Sequence, residues 1–224
     1  MIVGLLGNAR VGKDTFAEHL VKQYGYVRIG LADPLKRFCK EVFDFSDEQL
    51  YGNERDLPDT RYLRIKIHPP VDEVVADVNY LTPRYALQTL GTEWGRNCYN
   101  DIWIETGIRT AKRLLEGGCT YAPSGGLVCS LDKGYPPPNG VVFADLRFKN
   151  EFEAVRLAGG VLVRIYRPEQ DGTNLAGVKL HPSEEEQRSI PDAAFDYIIN
   201  NDGTLEDYTR KIDQFMSSTV LKRS

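Results

Sequence analysis

The sequence predicts an α/β fold in which about five parallel strands form a sheet flanked by helices. Short apolar runs alternate along the chain with segments of helical periodicity, which is typical of repeated strand–helix units. Several of the runs are apolar at nearly every position, as expected for parallel strands covered on both faces. The five predicted strands are 2–6, 26–31, 141–144, 161–166 and 195–199.

Helices are predicted where apolar residues recur three and four positions apart. The apolar face of the first helix consists of Phe16, Ala17, Leu20 and Val21. The second helix begins near Pro34, because proline is favourable in a first helical turn. The third has an apolar face of Leu87, Leu90 and Trp94. The predicted helices are 13–23, 34–43, 84–97, 101–116, 151–158 and 205–215.

Two stretches interrupt this alternation. Four prolines break the pattern between 46 and 83, so that stretch is predicted to be irregular. Residues 119–139 are rich in Gly and Pro and are predicted as an excursion from the core, since a core strand follows them. We therefore predict a single domain over 1–224. Its parts are a core of about 1–45 and 140–224, a helical and irregular insertion of about 46–118, the excursion, and a lid of about 169–191.

The composition narrows the class of protein. The 224 residues are 42% hydrophobic and 27% charged, an ordinary balance for a globular chain. A net charge of −4 predicts no broad basic surface for nucleic acid. No apolar run approaches the roughly 20 residues of a membrane span, and the N-terminus lacks a basic signal-peptide region. We expect a cytoplasmic protein with reduced thiols, although Cys119 and Cys129 could bridge a loop.

A phosphate-binding loop is predicted between the first strand and the first helix. The pattern Gly7-x-x-x-x-Gly12-Lys13 lies there, and backbone N–H groups in such loops bind phosphate oxygens. Lys13 is expected to reach between the β- and γ-phosphates of ATP. The alternative is a glycine-rich turn with an incidental lysine. The residues predicted to bind ATP here are Gly7, Asn8, Ala9, Val11, Gly12, Asp14 and Thr15.

Asp14 departs from the usual loop, which carries a hydroxyl that helps to hold Mg²⁺ at this position. An aspartate could serve the metal directly or through water, or it could favour the helix dipole instead. Asp145 follows an apolar strand, where an acidic residue that organises Mg²⁺ is expected. Its alternatives are a helix cap or a partner for Arg147. Asp14 and Asp145 are therefore predicted to bind Mg²⁺, either directly or through water.

Sequence blocks along the whole chain resemble the phage-type deoxynucleoside monophosphate kinases, within the nucleoside monophosphate kinase-like group. The blocks are GKDT at 12–15, LADPLK at 31–36, TPRYALQTLGTEWGR at 82–96, DIW at 101–103, DLRFKNEFEAVRLAGG at 145–160, RIYRP at 164–168, HPSE at 181–184 and NDGTLED at 201–207. The resemblance implies the P-loop NTP hydrolase fold of nucleoside monophosphate kinases. It also implies transfer of the ATP γ-phosphate to a dNMP, giving ADP and dNDP.

Basic residues are placed where such a reaction needs them. The acceptor phosphate, with a second pKa of about 6, is mostly a dianion at neutral pH, so no general base is required. Cations and Mg²⁺ must offset the charge of two approaching anions. Lys13, Arg10 in the loop, Arg147 after the third core strand and Arg167 after the fourth are the predicted catalytic cations, together with Asp145.

The acceptor site is predicted on the other side of the crevice. The resemblance makes Lys36 a contact of the acceptor phosphate. On the 84–97 helix, a polar stripe recurs every four residues at Arg84, Gln88, Thr92 and Arg96. Gln88 could read a base edge and Arg84 could meet the phosphate, whereas the alternative is a solvated helix face. Related kinases place the corner that holds Asn201 and Gly203 beside adenine, so both are predicted to bind ATP.

Two other functions stay open at this point. One is a P-loop kinase of another phosphorylated small molecule, similar to dephospho-coenzyme A kinase or phosphomevalonate kinase. The other is a non-catalytic nucleotide-binding module. The expected partners are ATP and a dNMP, with no nucleic acid and no membrane, while a homodimer is left open. A phage-encoded chain would act in the host cytoplasm.

Overall fold

The computed structural model describes residues 1–67, 76–130, 134–168, 186–187 and 189–221. Two compact units make up the chain. Met1–Leu31 and Trp103–Ser224 form the first, which we call the sheet unit, and Ala32–Ile102 form the second, the insertion unit. These boundaries differ from those placed near 45 and 140 on sequence grounds. Most of the predicted lid, at 169–185 and 188, lies outside the described residues.

The described elements follow the predicted alternation of strands and helices. The strands are β1 (Ile2–Leu6), β2 (Tyr26–Arg28), β3 (Asp59–Ile67), β4 (Ala76–Leu81), β5 (Cys119–Tyr121), β6 (Leu127–Cys129), β7 (Gly140–Phe143), β8 (Val161–Tyr166) and β9 (Tyr197–Asn200). The α-helices are α1 (Lys13–Tyr24), α2 (Asp33–Phe43), α3 (Asp47–Tyr51), α4 (Pro83–Gln88), α5 (Ile102–Glu116), α6 (Lys149–Leu157) and α7 (Leu205–Leu221).

A five-stranded sheet in the order β2-β7-β1-β8-β9 forms the centre of the sheet unit. All of its strand pairs are parallel, which confirms the predicted α/β fold class. β1 lies in the middle, with Gly4 opposite Phe143 on one side and Leu6 opposite Arg164 on the other. Every residue of β1 is buried, as its unbroken apolar sequence predicts.

Successive β1 side chains alternate between two apolar clusters, because side chains of a strand point to opposite faces. Val3 and Leu5 join the cluster formed with α1 and α7. Ile2 and Leu6 join the cluster formed with α5 and α6. The prediction for α1 was wrong at Val21, which is 40% exposed.

The insertion unit has more regular structure than the prolines predicted. The stretch from 46 to 83 contains α3, a 3₁₀ turn at Asn53–Asp56 and the antiparallel hairpin of β3 and β4. Cys39, Phe45, Leu50, Leu81 and Ala86 form its buried core. The prediction of an irregular stretch was therefore wrong in the described part, where Pro58 directly precedes β3 and Pro83 begins α4.

The predicted 84–97 helix also differs from the structure. α4 ends at Gln88, and Thr89–Arg96 continues as a π-helix. A π-helix closes its hydrogen bonds over five residues instead of four, so later side chains are rotated relative to an α-helix. Leu87 and Leu90 pack on the core of the insertion unit. Trp94, predicted on the same apolar face, is 58% exposed.

The excursion at 119–139 begins with a small hairpin. β5 and β6 pair antiparallel with Cys119 directly opposite Cys129, and the two residues form a disulfide. The expectation of reduced thiols at these positions was therefore wrong, because the cross-strand register brings the two sulfur atoms together. Cys39 and Cys98 are free thiols, the first buried and the second exposed.

Across the part of the chain that the structure describes, no helix combines the length and the apolar character that crossing a membrane requires.

Reducing the Cys119–Cys129 bond should destabilise the protein. The bond closes a loop over a sequence separation of 10, and the chain-entropy model gives about 2–3 kcal/mol for a loop of this size. Urea unfolding with and without a reductant measures the difference. A Cys98→Ser variant, which lacks only the exposed thiol, should behave like the wild type in both conditions. Four free thiols in the unreduced, denatured protein would contradict the bond.

Candidate active site

The loop between β1 and α1 has the backbone shape of a phosphate-binding loop. Gly7 and Gly12 adopt positive φ angles of 152° and 107°. A Cβ atom on Gly7 would lie 2.4 Å from the backbone oxygen of Ile165, and one on Gly12 would lie 2.7 Å from Nδ2 of Asn201. Both positions therefore require glycine for conformation and for space.

The side chains of the loop are divided between core and surface. Val11 is fully buried in the apolar cluster of α1 and α7, which anchors the loop. Lys13 Nζ donates hydrogen bonds to the backbone oxygens of Gly7 and Asn8, each at 2.6 Å, so the ammonium group lies across the loop. Arg10 and Ala9 are exposed at the tip.

Several of the predicted residues lie at the carboxyl edge of the sheet. Extending the β1–β7 register by two residues places Asp145 opposite Leu6, immediately before the loop. Tyr166 pairs with Asn200, so Arg167 and Asn201 follow their strands side by side. Ligands of open parallel sheets bind outside this edge. The topology therefore gathers Lys13, Asp145, Arg167 and Asn201 at one edge.

Asp145 and Arg147 follow β7 in a segment held by hydrogen bonds. Oδ2 of Asp145 accepts from the backbone N–H of Leu31 at 3.0 Å. The carboxylate of Glu151, which is 4% exposed, accepts from the N–H groups of Arg147 at 2.6 Å and Phe148 at 3.1 Å. Glu151 thus fixes the backbone that carries the exposed Arg147. Sequence analysis missed Glu151, although an acidic residue in a first helical turn is a capping signal.

Asp14 has a partner that the sequence did not reveal. Nη2 of Arg28, at the end of β2, donates a hydrogen bond to Oδ1 of Asp14. The Asp14 side chain is 74% exposed, so the pair lies at the surface beside the loop. Arg28 adds a guanidinium group to the site. Thr15, the next residue of α1, is half-buried.

The oxygen-bearing side chains near the loop suit a Mg²⁺ ion whose other ligands are substrate phosphates and water. Among the described residues, no group of three His, Cys, Asp or Glu side chains could hold a metal ion. Mg²⁺ commonly keeps several waters and binds one or two carboxylates together with substrate phosphates. Asp145, Asp14 and the hydroxyl of Thr15 are donors of this kind, so the residues fit the ion.

Asn201 and Gly203 lie in the corner between β9 and α7. The side-chain amide of Asn201 donates to the backbone oxygen of Val11 at 2.9 Å. Gly203 is exposed beside the helix cap formed by Thr204 and Asp207. A residue that the sequence analysis missed, Tyr208, donates its hydroxyl to the backbone oxygen of Gly12 at 3.1 Å. A single tyrosine in a closing helix carries no sequence signal for such a contact.

The three predicted acceptor residues belong to the insertion unit. Lys36 on α2 places Nζ 4.1 Å from the ring centre of Tyr51. Arg84 on α4 donates through Nε and Nη2 to both carboxylate oxygens of Asp56, and this contact lowers the pKa of Asp56. Gln88 is exposed at the end of α4.

The four-residue polar stripe runs through two types of helix. Arg84 and Gln88 share a face of α4, whereas Thr92 and Arg96 lie in the π-helix. A π-helix closes its hydrogen bonds over five residues and has more than four residues per turn, so residues four apart stay close to one face. The single polar stripe therefore stays a prediction.

Comparison with known proteins adds one relative that matches almost end to end. A protein of Acanthamoeba polyphaga mimivirus described as "Putative deoxynucleotide monophosphate kinase" is 31% identical over 217 residues, or 95% of this chain and 94% of the relative. The chain belongs to the deoxynucleotide monophosphate kinase family. It is an ATP-dependent kinase of the P-loop type.

A search against protein-family models found no match to the kinase. Among solved structures, shikimate kinase from Acinetobacter baumannii in complex with shikimate is 13% identical with a TM-score of 0.42, covering 97% of this chain and 93% of that chain. TT1252 from Thermus thermophilus is 17% identical with a TM-score of 0.42, covering 97% of both chains. Both scores are low, and neither likeness bears on the activity of this kinase.

Replacing the two predicted metal carboxylates in the kinase should have unequal effects. Asp145→Asn should raise the Mg²⁺ concentration for half-maximal rate about tenfold, since losing one polar group at a metal site typically costs 10–100-fold in affinity. Asp14→Asn should raise it less than about twofold, because Arg28 already offsets the charge of the Asp14 carboxylate and loss of an exposed ion pair has little effect.

Rates measured over a Mg²⁺ titration at saturating ATP test this pair of variants. Glu18→Gln on the same helix removes another exposed carboxylate, one paired with Lys22, and serves as the control. An equal shift for Asp14→Asn and Asp145→Asn would instead assign Asp14 to the metal, as its place in the loop first suggested.

Proposed function

We propose that this kinase transfers the γ-phosphoryl group of ATP to the phosphate of a deoxynucleoside monophosphate, giving ADP and dNDP. The observation that carries the proposal is the end-to-end match, at 31% identity, to the mimivirus relative of that description. The loop geometry and the gathering of basic residues at one edge of the sheet support it from the structure.

The reaction needs little covalent chemistry from the protein. The acceptor phosphate is already largely ionised at neutral pH, so the chain has no proton to remove before attack. Its task is to bring two anions together and to stabilise the charge that spreads over the transferred group. Mg²⁺, when bound, would neutralise charge on the β- and γ-phosphates.

The residues of the sheet unit take separate parts in this proposal. The N–H groups of 7–13 and the N-terminus of α1 bind the ATP phosphates. Lys13 exchanges its contacts with Gly7 and Asn8 for phosphate oxygens. Asp145 organises Mg²⁺ through its carboxylate or through water. The exposed guanidinium groups of Arg10 and Arg147, with that of Arg167, offset charge on the transferred group.

The insertion unit provides the acceptor side of the proposal. Lys36 and Arg84 bind the acceptor phosphate, and Gln88 hydrogen-bonds a base edge. Arg84 already uses Nε and Nη2 on Asp56. A phosphate would therefore bind the remaining N–H donors of Arg84 or replace Asp56, and the replacement costs little free energy because exposed ion pairs are weak.

The identity of the acceptor is the central test. ADP release with MgATP should be stimulated by one or more dNMPs in a panel of all deoxynucleoside and ribonucleoside monophosphates. Turnover of another phosphorylated small molecule, with no dNMP accepted, would reject the proposed acceptor while retaining a kinase. Binding of ATP without any transfer would favour the non-catalytic module.

Lys13→Ala should reduce phosphoryl transfer by roughly 10²–10³-fold, as loss of one preorganised electrostatic contact to a transition state typically does. The variant should remain folded, because the hydrogen bonds from Lys13 Nζ go to carbonyls of the loop and not to the apolar core. The kcat of ATP turnover and the unfolding temperature measure the two effects. Lys22→Ala, an exposed lysine on the same helix, is the control. Turnover near that of the wild type would remove the loop from the mechanism.

Gln88→Ala should raise KM for a dNMP far more than KM for ATP. A base-reading hydrogen bond left unpaired costs about 1–3 kcal/mol, or roughly ten- to a hundredfold in kcat/KM. The loss should differ between bases, since a side-chain amide pairs differently with each edge. Arg84→Ala should weaken every dNMP similarly, because all of them carry the phosphate.

Thr92→Ala provides the control for the Gln88 and Arg84 variants. It removes a polar side chain from the same segment, at an exposed position in the π-helix, and should leave both KM values unchanged. Equal losses for ATP and for all acceptors in the Gln88 and Arg84 variants would mean that these residues are structural.

A further inference from the structure

A phosphate-binding loop must keep its carbonyl groups away from the anion. Each residue of the loop carries an N–H group that attracts phosphate and a C=O group that repels it. A loop that is shaped before the ligand arrives therefore needs partners for its carbonyls elsewhere in the protein. Two such partners lie among the described residues, Asn201 in the corner between β9 and α7 and Tyr208 in the first turn of α7.

The first partner is Asn201, whose side-chain amide donates to the carbonyl of Val11 at 2.9 Å. A backbone hydrogen bond fixes the position of Asn201. Its backbone N–H donates to the carbonyl of Tyr166, at the end of β8, at 2.7 Å. Val11 is fully buried. The amide therefore holds the carbonyl of a residue that is already anchored in the core.

The second partner is Tyr208, whose hydroxyl donates to the carbonyl of Gly12 at 3.1 Å. The tyrosine is 2% exposed, and burial raises its pKa, so the hydroxyl stays protonated and remains a donor through neutral and alkaline pH. The same carbonyl accepts the first backbone hydrogen bond of α1, from Phe16 at 3.0 Å. Tyr208 thus contacts the junction of loop and helix.

Both side chains also limit the space around Gly12. A Cβ atom there would lie 2.7 Å from Nδ2 of Asn201 and 3.0 Å from Cε1 of Tyr208. The loop backbone therefore lies directly against these two side chains. They surround Gly12, which has a positive φ of 107°. Movement of the loop in this direction is blocked by contact as well as by hydrogen bonding.

The helix that carries Tyr208 is itself tied to the helix that follows the loop. Oδ1 of Asp213 on α7 contacts Nε2 of His19 at 2.7 Å and accepts from the hydroxyl of Tyr24 at 2.8 Å. Phe16 and Phe215 pack with their ring centres 5.5 Å apart. These contacts fix α7 against α1, so Tyr208 is held at a constant position relative to the loop.

We propose that Asn201 and Tyr208 are positioning residues that brace the phosphate loop by holding the carbonyls of Val11 and Gly12 against the protein. The contact of Asn201 with adenine, predicted from the sequence, stays a prediction, and the test below distinguishes it from the brace. The inference rests on the ATP-binding half of the proposed function and is independent of the identity of the acceptor.

The test compares two ligands that share phosphates but not a base. ADP and tripolyphosphate are titrated calorimetrically into the wild type, Asn201→Ala and Tyr208→Phe. Each variant should lose about tenfold in affinity for both ligands, because loss of one hydrogen bond to a buried group is of this order. In Tyr208→Phe the loss should be constant from pH 7 to 9, as expected for a neutral donor.

Matched variants separate bracing from a general loss of stability. Tyr197→Phe removes a phenol hydroxyl that contacts Ser218 on α7, the helix that carries Tyr208. Asn200→Ala removes the side-chain amide of the residue before Asn201. Both should bind the two ligands like the wild type. Kinetically, the brace predicts a raised KM for ATP with an unchanged KM for the acceptor.

Two results would overturn the inference. If Asn201→Ala binds ADP more weakly but tripolyphosphate unchanged, Asn201 contacts the adenine base instead of bracing the loop. A lower unfolding temperature with unchanged affinity for both ligands would make the contacts purely structural. Should one variant fail to fold, the other decides alone. A wild type that binds no ADP would reject the proposed function itself, whereas one that binds ADP but accepts no dNMP would leave the brace intact.

Discussion

β1 is hydrogen-bonded along both edges and buried on both faces, and the organisation of the site depends on this constraint. Because neighbouring strands and helices enclose β1 on all sides, the chain reaches the surface only beyond the end of this strand. The residues after Leu6 therefore emerge at the carboxyl edge of the sheet. β7 and β8 run parallel to it, and the residues that follow them emerge at the same edge. The convergence of a glycine loop, a carboxylate and basic side chains is therefore a consequence of strand direction.

Cationic groups near the proposed phosphate sites already have partners within the chain. Arg28 contacts Asp14, Arg84 contacts Asp56, and Lys13 contacts two loop carbonyls. These partners hold the side chains in defined positions without deep burial. Because exposed ion pairs are weak, an incoming phosphate can replace them at a small cost in free energy. The basic side chains are therefore ordered in advance and still accessible to a phosphate.

The sequence could predict what depends on local pattern. The runs at β1 and β8 have the bounds that hydrophobicity predicted, and the loop glycines have the positive φ angles that their spacing implied. Contacts between distant residues could not be predicted in this way. Tyr208 meets Gly12 across 196 positions, and the disulfide depends on a cross-strand register. The π-helix was missed because its extra residue per hydrogen-bonded turn changes the phase without changing the composition.

The hairpin disulfide has a consequence for handling the protein. Cys129 is exposed whereas Cys119 is 6% exposed, and Cys98 is an exposed free thiol. Burial raises the pKa of Cys39 to about 11, which keeps that thiol unreactive. A Cys98 thiolate of one molecule can therefore attack Cys129 of another, forming an intermolecular disulfide and releasing the Cys119 thiolate. Covalent dimers formed in mildly alkaline, reductant-free buffer would then reflect thiol exchange between stored molecules and not a native subunit interface.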